Sequence, residues 1–95
     1  MKIVYLRSTL GDIVWFRTYY GSIFPDGEKR ALFQRRATEQ LIKDNPNIGL
    51  LVREDNIRTF PILRTPFSFV YRHTGKQIEI LRIWDARRNP ADLVY

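Results

Sequence analysis

The sequence contains no cysteine and a single histidine, His73, among its 95 residues. Without cysteine there is no disulfide framework, no thiol nucleophile and no thiolate zinc site. One histidine excludes a histidine-rich metal cluster as well, so neither a metal nor a cofactor is expected. Long hydrophobic runs are also missing. The start of the chain offers only four consecutive apolar residues, Ile3 to Leu6, short of the ~7–15 of an export-signal core. Nothing approaches the ~18–20 apolar residues of a membrane span. A cytoplasmic protein without membrane contact is the expectation.

What is present is a folding chain with a basic bias. A hydrophobic content of 44% and an aromatic content of 14% are too high for a solvated, disordered polymer. Residues 1–95 suffice for one domain with one modest core and no deep cavity. The formal net charge is +6, and the sixteen basic residues divide into twelve arginines and four lysines. Solubility alone would be served as well by lysine. Arginine instead suits bidentate contact with carboxylate or phosphate and stacking on aromatic planes. An acidic partner, nucleic acid or an acidic protein segment, is therefore the first positive implication.

Periodicity divides the chain into a β-α-α-β-β-β order. Residues 3–7 alternate as a short strand. Thr9 followed three residues later by Asp12 reads as a capping box. Leu10, Ile13, Val14, Phe16, Tyr20 and Ile23 then recur at helical spacing, predicting a helix over 10–22 with one apolar face. Phe24-Pro25-Asp26-Gly27 is a turn, and Asp26 or its neighbour caps a second helix to about Asn45, where Pro46 ends it. In that helix Phe33, Ala37 and Leu41 at i, i+4, i+8, widened by Leu32 and Ile42, are the predicted buried stripe. Arg35, Glu39 and Lys43 make a solvated face with i, i+4 ion pairs. The segment 48–53 reads either as a strand or as a loop. Residues 57–63, 67–73 and 77–84 are strands joined by short breaks, hence an antiparallel meander. Pro61 predicts an outer or bulged strand. The last strand, apolar on both faces, belongs in the middle of the sheet. The expected architecture is α+β, two helices packed on one face of a mainly antiparallel sheet.

The arginines are unevenly spread. Residues 56–90 hold seven basic residues against two acidic ones, a local excess of +5. In the strand 67–73, Phe67, Phe69 and Tyr71 share the face expected under the helices, which sends Arg72 to the other. Hairpin pairing is expected to bring Arg58, Arg64 and Arg82 beside Arg72 as a basic patch on the uncovered face. The aromatic strand Phe67-Ser68-Phe69-Val70-Tyr71 is not that of an RNA-recognition motif, because that domain runs βαββαβ and has a glycine-rich lead-in.

Taken in order, Asn45-Pro46-Asn47-Ile48-Gly49, Ile57-Arg58-Thr59-Phe60, Pro66 to Arg72, Ile78 to Ile83, and Ala86-Arg87-Arg88-Asn89-Pro90 resemble the ParE/RelE superfamily of bacterial toxins from type II toxin–antitoxin pairs, over about residues 3–90. The superfamily implies one of two activities. RelE-like members cut mRNA on the ribosome with basic residues plus a tyrosine, histidine or glutamate near the end of the last strand. ParE-like members lack that set and poison DNA gyrase. Here the last strand leaves through Trp84-Asp85-Ala86, where an acid would repel the phosphate it should stabilise. His73 lies at a hairpin turn, and Tyr95, as the last residue, is a poor general acid. The resemblance therefore favours the ParE-like branch, with no catalytic residues. A ribosome-dependent mRNA endonuclease and an inactive partner-binding relative remain the alternatives.

The resemblance further implies a cognate antitoxin with a DNA-binding N-terminal domain and an acidic C-terminal segment wrapping the toxin in a hetero-oligomer. On this reading Arg58, Arg64, Arg72, Arg82, Arg87 and Arg88 bind the partner or the target. Trp15, Phe16, Tyr19 and Tyr20 are candidates for the antitoxin groove. Direct binding of nucleic acid takes second place.

Overall fold

The computed structural model describes residues 1–53 and 55–93. Strand β1 (Lys2–Tyr5) leads through a 3-10 turn at Arg7–Thr9 into helix α1 (Leu10–Thr18), which continues as a wider π turn over Tyr19–Ile23. A second short turn, Pro25–Gly27, precedes helix α2 (Glu28–Asp44). Four strands follow: β2 (Leu50–Arg53), β3 (Ile57–Pro61), β4 (Phe67–His73) and β5 (Gln77–Asp85). A last 3-10 turn spans Pro90–Asp92. The sheet order is β1-β5-β4-β3-β2, with β1 parallel to β5 and every other pair antiparallel. The α+β class, the central place of β5 and the meander are as the sequence implies, and segment 48–53 resolves into an edge strand over its last four residues.

Both helices lie on one face. Phe67, Phe69 and Tyr71 of β4 and Ile78, Ile80 and Ile83 of β5 meet Phe16, Tyr20, Ala31 and Ile42 in the main core. Strict alternation would separate Ile83 from Ile78 and Ile80. A bulge reconciles them: Tyr71 pairs with Ile80 but Val70 with Arg82, so Leu81 is the extra residue. The bulge turns Trp84 to the face without helices, where alternation already places Leu81. There they join Ile57 and Val70 in a second cluster, flanked by Leu6 and Leu93. The face expected to be uncovered is thus partly closed by the end of the chain.

Beyond β1 the edge of β5 has no strand partner among the described residues, and one backbone amide and two side chains seal it. The Leu6 amide donates to the Ile80 carbonyl at 3.0 Å, and the Ser8 hydroxyl donates to the Leu81 carbonyl at 2.7 Å. The Asp12 carboxylate accepts the Ile83 amide at 2.9 Å. The capping box is therefore not formed. Asp12 is drawn to the sheet, and the Thr9 hydroxyl donates backwards to the Leu6 carbonyl. Of the two candidates for capping α2, Asp26's neighbour Gly27 occupies the N-cap position, without a side-chain hydrogen bond.

Three further expectations fail. In α1, Phe16 and Tyr20 are buried, whereas Leu10, Val14 and Ile23 are exposed. In α2 the buried line is Ala31, Thr38 and Ile42, while Phe33 is 67% exposed and Leu41 lies outside too. Those two stripes are about 120° apart on the helix. Ala31 is small enough for close approach, and Thr38 satisfies its hydroxyl on the Gln34 carbonyl at 2.7 Å, so a polar residue costs little inside. Finally, β3 is not an outer strand. Pro61 is tolerated because it lies past the last rung to β2, whose pairing stops at Thr59.

Candidate partner-binding surface

The six arginines do not form one basic face. Arg58 lies opposite Tyr71, which puts it on the helix-bearing side. Its guanidinium donates to the carbonyls of Gly49 at 3.0 Å and Asn47 at 3.4 Å. Arg64 stands exposed in the β3–β4 turn with a positive φ of 62°. With Arg30, Asp26 and Phe24 it lines a shallow groove beside the start of α2. Arg72 is on the face without helices, as expected, but is paired with Glu79 at 2.7 Å. Arg82 makes a bidentate pair with Asp12, at 2.7 and 2.9 Å. The grouping of Arg58, Arg64, Arg72 and Arg82 is corrected accordingly. Cross-strand register sends Arg58 to the opposite face, a turn removes Arg64, and acids from β5 and α1 engage the other two.

Charge and aromatic surface instead meet at the end of β5. Asp85 is nearly buried and accepts two guanidinium bonds from Arg87, at 2.9 and 2.7 Å. It also accepts the Arg87 amide at 3.0 Å and the Trp15 indole N–H at 3.1 Å. The Arg87 contacts, helped by Trp15, hold its carboxyl down at about 2 against the opposing effect of burial. In return the Asp85 carboxylate raises the pKa of Arg87. The same guanidinium lies 4.5 Å from the Tyr19 ring centre, and Arg88 lies 4.9 Å from that of Trp84. Among the described residues Arg88 makes no ion pair, so it and Arg64 are the two least engaged of the six.

Of the groove aromatics, Phe16 and Tyr20 are each 4% exposed and belong to the core. Trp15 and Tyr19 reach the surface, at the Asp85–Arg87 cluster. Phe16 and Tyr20 also form the floor of an open groove between α1 and α2, about 360 Å³, walled by Ile13, Leu32, three arginines (Arg17, Arg35 and Arg36) and one acid, Glu28. Arg35 lies over the rings of Tyr5 and Phe16, at 5.4 and 5.6 Å. Its nearest acid, Glu39, stands 3.6 Å away and accepts the Tyr5 hydroxyl at 2.9 Å. Burial, the largest influence on Tyr5, pushes its phenol far above the usual value. Periodicity assigned Arg35 to the solvated face, so this basic groove was missed. The available signal was the Ile13/Arg17 spacing, which places an arginine beside an apolar residue facing α2.

His73 is on the helix-bearing side, not free in a turn. Its Nε2 is 2.8 Å from the Asn47 side-chain oxygen, and its partner Ile78 places it at the opposite end of the sheet from Asp85. Tyr95 lies outside the described residues. Among the described residues there is no cluster of three metal-ligating side chains, and no helix is long and apolar enough to cross a membrane.

This is a small α+β fold that offers shallow grooves and arginine–aromatic pairs. No protein-family model matches the sequence, and no curated protein does. Among solved structures, the chain is similar to one from the chromosomal ParDE TA system of P. aeruginosa. The two share 27% identity over 87% of this chain and 92% of the other, with a TM-score of 0.67. The fold is ParE-like.

Proposed function

We propose that this chain is the toxin of a type II toxin–antitoxin pair, acting in the cytoplasm by inhibiting DNA gyrase and silenced by a cognate antitoxin. The observation that carries the reading is the likeness to the ParDE system at 27% identity across most of both chains. Two features of the site support the gyrase branch over mRNA cleavage. The carboxyl of Asp85, at the end of the last strand, is held ionised by Arg87 and Trp15, so it is no proton donor near neutral pH. The one histidine is at the other end of the sheet, hydrogen-bonded to Asn47.

The antitoxin's acidic segment would meet the aromatic and basic surface along α1, from Trp15 and Tyr19 to the groove of Arg17, Arg35 and Arg36. Arg64 and Arg88 are the candidate target contacts with fewest internal partners. A supercoiling assay with purified gyrase tests the reading. Inhibition relieved by the product of an adjoining small acidic reading frame is expected. Unaffected gyrase together with cleaved mRNA in a translation extract would transfer the chain to the endonuclease branch.

A further inference from the structure

Helix α2 carries an apolar stripe that the described residues leave largely uncovered. Phe33 is 67% and Leu41 39% exposed, with the half-buried Ala37 between them. The stripe is turned away from the α1 groove, whose α2 wall is Glu28, Leu32, Arg35 and Arg36. A large aromatic left in water on a helix that buries Ala31 and Thr38 instead marks a contact surface rather than misplaced core.

The pattern along the stripe is symmetric. Phe33 and Leu41 lie four residues to either side of Ala37, and Arg30 and Asp44 lie seven. Those are the offsets at which residues return to one helix face. Both charged residues are exposed. Among the described residues Arg30 has no ion pair. Asp44 accepts only the Gln40 side chain, on Oδ1 at 2.8 Å.

We propose that α2 is self-complementary and pairs antiparallel with α2 of a second copy of this chain, about a twofold axis at Ala37. Phe33 then packs on the second copy's Leu41 at both ends of the contact. Ala37 meets its own mate, where the small side chain lets the helices approach closely. Arg30 faces the second copy's Asp44, twice. The same twofold sets Lys29 level with Asn45 and Gln34 level with Gln40, so no charged residue along the stripe meets a like charge. A parallel arrangement would instead set Arg30 against Arg30. The contact is isologous and closes on itself, giving a dimer and no filament. One helix pair, about 25 Å long, is at the small end of interfaces, so a concentration-dependent dimer is expected rather than a permanent one. This inference does not depend on the functional reading above.

The absence of cysteine allows a direct test. In A37C the only thiol sits on the proposed axis. A disulfide needs Cα atoms roughly 4.4–6.8 Å apart, a distance reached across the pair only near the crossing. Under mild oxidation A37C is expected to give a covalent dimer, and R36C, one position round the helix, to give far less. In sedimentation equilibrium the unmodified chain is expected to shift from monomer to dimer as concentration rises. R30D and D44R should each weaken that shift, and the double variant R30D/D44R should restore it. A chain that stays monomeric to its solubility limit overturns the proposal. So does failure of the double swap to restore association while circular dichroism shows the variants folded. If F33S abolishes capture of the antitoxin while the unmodified chain remains monomeric, the stripe is the antitoxin's seat, and the proposal falls.

Discussion

One hydroxyl, that of Tyr71, fastens the exit of α2 to the sheet. It donates to the Pro46 carbonyl at 2.7 Å and accepts the Gly49 amide at 3.0 Å. Burial is the chief reason its phenol titrates above the usual value. Gly49 is required by space here: a Cβ would stand 2.7 Å from that hydroxyl and 2.9 Å from the Thr59 carbonyl. Tyr71→Phe strands both backbone groups, and a loss of about 1–3 kcal/mol in urea unfolding is expected. Gly49→Ala should cost a similar amount, about 1–3 kcal/mol, by forcing Tyr71 off its seat. At Asp85 the expected signature is pH dependence. Its pKa is depressed to about 2 by Arg87, so its stabilisation is complete above the unfolded value near ~4 and disappears as pH falls through about 2. Because Arg87 is half exposed, the contribution is on the order of 1–2 kcal/mol. Asp85→Asn should remove that amount at neutral pH and flatten the acid limb of the stability curve between pH ~4 and ~2. An unchanged acid limb would show that the pair does not stabilise the fold.

For the elements, the instructive pair is β5 and α2. In β5 a single extra residue, Leu81, reassigns every side chain after it. No periodicity signals this, since the run Ile78 to Ile83 is apolar on either register. What stabilises the outcome is Asp12, which takes the place of a strand partner for Ile83 and neutralises Arg82. Asp12→Ala removes the bidentate acceptor of Arg82 and the acceptor of the Ile83 amide together, and a loss of about 1–3 kcal/mol is expected. Amide exchange at Ile83 should accelerate beyond the global change. In α2 the apolar period was legible, but its direction was not. Phe33, Ala37 and Leu41 form the best hydrophobic stripe, yet the sheet selects the face whose small residues fit. Phe33→Ser should accordingly change monomer stability by no more than about 0.5 kcal/mol, where a core phenylalanine would cost far more. Chemical denaturation at low protein concentration separates the two.

Across the whole molecule, two cores share one sheet, and the smaller one depends on the end of the chain. Leu93, just after the Pro90–Asp92 turn, packs with Leu6 against the cluster of Trp84, Leu81, Val70 and Ile57. Leu93→Ala should therefore destabilise the chain by about 1–2 kcal/mol and increase solvent quenching of Trp84 fluorescence. The same covering explains why a basic open sheet face does not exist: part of that face is apolar core, and Arg72 on it is occupied by Glu79.

Element order, the central position of β5, the aromatic face of β4 and the α+β class follow from sequence alone, because local periodicity, turn residues and short connections are properties of neighbours along the chain. The bulge, the buried face of α2, the acids that engage Arg72, Arg82 and Arg87, and the groove of Arg17, Arg35 and Arg36 were decided only by the tertiary structure. Some depend on residues tens of positions apart, such as Asp12 with Arg82 and Tyr5 with Glu39, and even the near pairs Arg72–Glu79 and Arg87–Asp85 form only once the strand and its exit have taken their folded course. A count of charges records that arginine is plentiful; only packing determines which arginines remain for a partner.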